Sequence, residues 1–110
     1  MTFEEQVALV KQALEDGKAE DVRAYDVRGV SGLADAFVVA TGLAAPHLKA
    51  LVSGTEKTLA GAGVKAYRAS GSPDSGWIAL DFVDVVVHVF SPEARAYYAL
   101  EKLWQGAPSL

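Results

Sequence analysis

Asp81 and Asp84 form the one close carboxylate pair in a setting that could host chemistry. Paired carboxylates can hold Mg²⁺ for phosphoryl transfer. Strand side chains share a face when spaced by two, but these carboxylates stand three apart, on either side of Phe82-Val83. Asp also favours turns, where its carboxylate accepts from backbone two residues on. The spacing therefore predicts a hairpin turn flanked by the two aspartates rather than a metal site. His88 lies within Val85-Val86-Val87-His88-Val89-Phe90. A catalytic histidine needs a nucleophile or carboxylate at hand, and the sequence identifies none. Strand alternation puts Val86, His88 and Phe90 on one face and Val85, Val87 and Val89 on the other, which predicts a half-buried, hydrogen-bonded histidine. His47, at a helix start, is expected to be exposed.

Other chemistries find no foothold. Neither G-x-x-x-x-G-K-[ST] nor G-x-G-x-x-G occurs, and no G-x-S-x-G elbow is present. With no cysteine, the chain has no disulfide, thiolate nucleophile or cysteine-ligated zinc. The net charge of -4 suits a basic partner better than a phosphate backbone, whose affinity comes mostly from Lys and Arg. Trp77, Tyr97, Tyr98 and Trp104 stand out because tryptophan and tyrosine are common interface anchors. Trp104 and Tyr97 are expected to fill the core, whereas Trp77, at the start of a strand, suits either role.

These residues must be positioned by a small set of elements. At 110 residues and 51% hydrophobic, the chain predicts a single globular domain over residues 1–110. Its N-terminus lacks the basic start and apolar run of a signal peptide, and no segment has the roughly 20 apolar residues of a membrane span. A cytoplasmic location is expected. Thr2 and Glu5 form a capping-box pattern ahead of the helical row Phe3, Val7, Val10 and Leu14, with Gly17 as the stop. Strands are predicted over Asp21–Val27, Asp35–Thr41, Val64–Ala69, Trp77–Phe82 and Val85–Phe90. The apolar Phe37-Val38-Val39-Ala40 suits an inner strand. Pro46 opens a second helix with Leu48, Leu51, Val52 and Leu59 as its stripe, and Gly61 and Gly63 close it. Ser70 to Gly76 is expected to be a loop. Ser91 and Pro92 start a third helix that runs through Trp104 to Gly106. The order α-β-β-α-β-β-β-α predicts a mixed α/β fold: a single mixed sheet of about five strands with helices packed on it.

The C-terminal third resembles a known family. Gly76 to Phe90, with its tryptophan, aspartate-turn-aspartate and V-V-H strand, is similar to the signature of the Iojap or ribosome silencing factor family. Pro92 to Trp104 is similar to its closing helix, R-x-Y-Y-x-L-E-x-L-W. Ala19-Glu20-Asp21-Val22 and Asp35 to Gly42 match its first strands. The family carries an aromatic where Ala36 stands, a serine-rich helix start near Leu43 to His47, a glutamate at Ser70 and a glycine at Val83. The resemblance implies a nucleotidyltransferase-like fold without catalytic residues, and no enzyme activity or cofactor. It implies binding to the large ribosomal subunit through its protein fourteen, blocking subunit joining, with little direct nucleic-acid binding. Large-subunit assembly is the alternative role, a divergent nucleotidyltransferase using Asp81 and Asp84 a more distant one, and a homodimer is permitted. Carried onto this chain, the resemblance makes Trp77 and Ile78 apolar anchors. Asp81 and Asp84 hold the turn or pair with basic groups, and His88, Arg95, Tyr98 and Glu101 form a polar surface beside them.

Overall fold

The computed structural model describes residues 1–30, 32 and 34–110. Helix α1 (Phe3–Asp16) starts as its capping box dictates. The Thr2 hydroxyl accepts from the Glu5 amide at 3.2 Å, and the Glu5 carboxylate accepts from the Thr2 amide at 2.9 Å. Gly17 follows, but its φ of −82° is not left-handed. Lys18 takes that conformation instead, with φ 66°. A Cβ at 17 would lie 2.7 Å from Leu51 Cδ2 of α2 (Ala45–Gly61), so a larger residue there obliges that side chain to shift. His47 of α2 reaches the same corner. Its Nδ1 accepts from the Leu43 amide at 3.0 Å, which leaves Nε2–H to donate to the Gly17 carbonyl at 2.8 Å. The expected exposed histidine is thus a half-buried clamp between the two helices.

The strands are β1 (Glu20–Asp26), β2 (Ala36–Thr41), β3 (Arg68–Ser72), β4 (Trp77–Asp81) and β5 (Val85–Phe90). They form one mixed sheet in the order β1-β2-β5-β4-β3, with β2 and β5 parallel and every other pair antiparallel. Inner strand β2 is buried along its whole length, as its unbroken apolar run predicts. β3 lies further along the chain than expected. Its pairing with β4, from Arg68 opposite Asp81 to Ser72 opposite Trp77, draws Ser70-Gly71-Ser72 into the sheet despite their poor strand propensity. A short 3-10 turn, Pro73–Ser75, then leads into β4.

One face of the sheet is covered across β2, β5 and β4, while β3 stays exposed. Val38, Ala40, Ile78, Leu80, Val85, Val87 and Val89 pack there against Val7, Val10 and Leu14 of α1 and Leu48, Leu51, Val52 and Leu59 of α2. The other face has a smaller cluster: Val27, Phe37, Val39 and Phe90 under Ala94 and Trp104. That cover comes from α3 (Pro92–Tyr98) and a 3-10 segment, Leu100–Trp104, rather than from one continuous helix. The break is at Ala99, whose φ of 46° is left-handed. It leaves Trp104 in the core as expected, but turns Tyr97 out to 82% exposure, which corrects the expectation that Tyr97 is buried. No helix among the described residues is long and apolar enough to cross a membrane.

Candidate docking surface

The second sheet face is only partly roofed: Trp77 is half-buried at the edge of the roof, and His88 beside it is 8% exposed, buried rather than half-buried or part of a polar surface as expected. Cross-strand register places Trp77 opposite Phe90, Ala79 opposite His88 and Asp81 opposite Val86, so these side chains share this face. Parallel pairing adds Phe37 beside Val86. Together with Leu100, Leu103 and Trp104 from the 3-10 segment, Val30 from the loop after β1 and Arg68 from β3, they line an open groove of about 710 Å³. Aromatic contacts run across it. Tyr98 lies 4.7 Å from Trp77, Trp77 5.9 Å from His88, His88 6.0 Å from Trp104, and Trp104 stacks on Phe37 at 4.3 Å. Leu103 at the groove's edge is 70% exposed, so the apolar lining extends to the open surface.

Trp77 is held at the rim by local geometry. Gly76 before it has φ 78°, and a Cβ there would lie 2.7 Å from Ser91 Oγ. The Gly76 carbonyl accepts from the Ser91 amide at 2.8 Å, tying the start of β4 to the start of α3. The half-buried indole then donates from Nε1 to His88 Nδ1 at 3.1 Å. An accepting Nδ1 requires a neutral ring, and burial lowers the His88 pKa from 6.5 to about 4. Because this folded value lies below the unfolded one, the stabilising contribution is complete above about pH 6.5 and is lost as pH falls towards 4. The expected slope from this one group is on the order of 1 kcal/mol per pH unit. Asp21, Asp26 and Glu101 have carboxyls held below their ordinary range, so their acid losses come lower. Urea unfolding of the parent and of His88→Gln at about pH 7 and about pH 5 checks this, and equal losses in the two proteins would remove the assignment.

The two aspartates build the hairpin turn. The Asp81 carboxylate accepts from the Val83 amide at 2.7 Å, and the Asp84 carbonyl accepts from the amides of Asp35 and Ala36 at 2.8 and 3.1 Å. The turn is thereby fastened to the start of β2, and no group of three or more His, Asp or Glu among the described residues is placed to hold a metal. Val83 sits in this turn at φ 76°, a conformation that β-branched residues avoid. This is the position where the resembling family carries glycine. With Val83 56% exposed, little packing is lost on its removal. Val83→Gly is expected to raise stability by about 0.5–1 kcal/mol, since relief of left-handed strain exceeds the added freedom of the unfolded chain. A thermal melt at or below the parent's would contradict that.

The other expected site residues divide. Tyr98 joins Trp77 at the rim. Ile78 does not: it is buried on the opposite face beneath the helices, because adjacent strand residues point to opposite sides. Its assignment as a surface anchor is corrected on that ground. Arg95 and Glu101 lie behind the groove wall, paired at 2.8 Å, and bond to β1 and β2 rather than facing the opening. Burial pushes the Glu101 carboxyl up, but bonds from Arg95 and Tyr25 outweigh it and hold the pKa below the usual range. Sequence reasoning missed Phe37, Arg68, Val86, Leu100 and Leu103. Alternation along β5 already marked Val86 as His88's neighbour, whereas Leu100 and Leu103 reach the groove only through the break at Ala99.

An open aromatic groove thus lies on this sheet face, beside a hairpin turn held by the Asp81 carboxylate and the Asp84 backbone carbonyl. Comparison with known proteins identifies the family. The chain matches the family model described as "Ribosomal silencing factor during starvation" over residues 1–110, and it belongs to that family of regulatory proteins. It is 37% identical over 110 residues to the ribosomal silencing factor RsfS of Halalkalibacterium halodurans, covering 100% of this chain and 94% of that protein. It is 35% identical over 104 residues to the chloroplastic Iojap protein of Zea mays, covering 92% of this chain and 43% of the maize protein. A crystal structure of a Chromobacterium violaceum protein superposes with a TM-score of 0.93 at 37% identity, covering 96% of this chain and 88% of that one.

Proposed function

We propose that this chain is a ribosomal silencing factor of the cytoplasm. In this reading the groove face docks on protein fourteen of the large ribosomal subunit and sterically blocks joining of the small subunit. The observation that carries it is the half-roofed sheet face, with Trp77 on its rim and Leu103 exposed beside it, in a member of the silencing family. Apolar and aromatic side chains around a recess are the usual energetic centre of a protein interface. The surrounding chain carries a net charge of -4, which favours encounter with a basic ribosomal protein over bare RNA. The Asp81 carboxylate is engaged by the Val83 amide in the turn, which accounts for it without turnover.

Co-sedimentation tests the proposal. The protein is expected to travel with isolated large subunits and not with small ones, and to reduce formation of the joined particle in a mixture of both. Equal binding to both subunits, or to ribosomal RNA stripped of protein, would overturn it. In the same assay Asp81→Asn and Asp84→Asn are expected to weaken blocking several-fold at most, with no Mg²⁺-dependent nucleotide transfer in any variant.

A further inference from the structure

We propose that Arg95 and Glu101 are positioning residues for the docking surface: their pairing pins Leu100–Trp104 against the sheet and so builds one wall of the groove. The inference rests on the groove being the docking face. Residues 92–104 are rich in Ala, Leu, Glu and Lys, strong helix formers, and by local preference would run as one helix. Instead the helix stops at Tyr98, and Ala99 adopts φ 46°, which a non-glycine residue takes up only when its surroundings hold it there.

Arg95 supplies the hold. Its side chain is 12% exposed. Nε donates to Glu101 Oε1 at 2.8 Å and Nη2 to Oε2 at 3.2 Å, a two-pronged pair. Nη1 donates to the Asp21 carbonyl of β1 at 2.8 Å and to Thr41 Oγ1 of β2 at 2.9 Å. Glu101 also accepts from the Tyr25 hydroxyl of β1. Arg95 and Glu101 are six residues apart in sequence. In a continuous helix neighbours are three or four apart, and residues six apart point to different sides. The pair therefore exists only when the chain is broken at Ala99. With the break in place, Trp104 stacks on Phe37 and Leu100 and Leu103 line the groove. Without it, that segment has no fixed place on the sheet and the wall is lost.

Hydrogen exchange and large-subunit binding, measured on the full chain, separate this from a merely structural role. In Glu101→Gln, amides of residues 100–104 are expected to exchange at least about tenfold faster while those of β5 keep their protection. Large-subunit binding is expected to weaken about tenfold. Adding Ala99→Gly is expected to restore part of both, because glycine enters the left-handed conformation freely and disfavours the continuous helix. Unchanged exchange at 100–104 in Glu101→Gln would overturn the pin. Faster exchange there with binding at the parent's level would overturn the positioning role. Should Trp77→Ala also bind as the parent does, the docking-face reading itself has failed and the positioning role with it, while the exchange result still decides the pin.

Discussion

Trp104→Ala is expected to cost about 3–5 kcal/mol of folding stability, the usual penalty for truncating a buried tryptophan. Trp104 is 7% exposed and packs against three rings at once: Phe37 at 4.3 Å, Tyr25 at 5.7 Å and His88 at 6.0 Å. It is also the main side chain of the 3-10 segment over this half of the sheet, so its removal leaves Phe37 and Val39 without their roof. A domain of this size has a total stability of about 5–15 kcal/mol, so the loss is a large share of it. The melting temperature is expected to fall by about 10 °C or more. Tyr97→Ala is the control: it is 82% exposed, and its effect is expected within about 0.5 kcal/mol. If the two variants melt together, the packing assignment of Trp104 is wrong.

Trp77→Ala is expected to reverse that pattern. Its indole is half-buried at the groove rim, in contact with Tyr98 at 4.7 Å and Phe90 at 5.0 Å. Truncation leaves the backbone pairing of β4 with both neighbours untouched. The lost area and the unanswered His88 Nδ1 are expected to cost about 1–2 kcal/mol of stability, well short of the Trp104 loss. Binding should suffer far more. An interface hot spot is worth about 2 kcal/mol or more, which is at least about a thirtyfold rise in dissociation constant. Trp77→Phe is expected to fall between, since it keeps most of the ring but cannot donate to His88. Melting and large-subunit binding on the same preparations decide the matter. A Trp77→Ala protein that melts as low as Trp104→Ala, or that blocks subunit joining like the parent, removes Trp77 from the anchor role.

Much of the site was legible because its logic is local or periodic. Period-two alternation put His88 with Phe90 and Val86, and the same rule, applied to Trp77 and Ile78, separates them onto opposite faces. Aspartate turn chemistry placed Asp81 at the hairpin, where its carboxylate meets the Val83 amide. Arg95 and Glu101 were visible as residues of note, but not as a pair, since their contact depends on a chain reversal that no helical spacing contains.

The sequence by itself determined the elements whose stabilisation comes from near neighbours. The capping box at Thr2 and Glu5, the Ser91-Pro92 helix start and the buried run of β2 follow from side chains within a few positions of one another. It also carried the family resemblance, over nearly the whole chain. Only the tertiary structure decided where β3 lies, that Gly17 packs closely on Leu51, that His47 joins two helices, and that the last helix breaks at Ala99. Each of these is settled by a partner distant in sequence: β4 for β3, Leu51 for Gly17, the Gly17 carbonyl for His47, and the sheet, through Arg95, for Ala99. Local propensity favours a straight helix over residues 92–104 by small increments per residue. Burying Trp104 and satisfying the Arg95 guanidinium against β1 and β2 outweigh that preference, and the groove exists because they do.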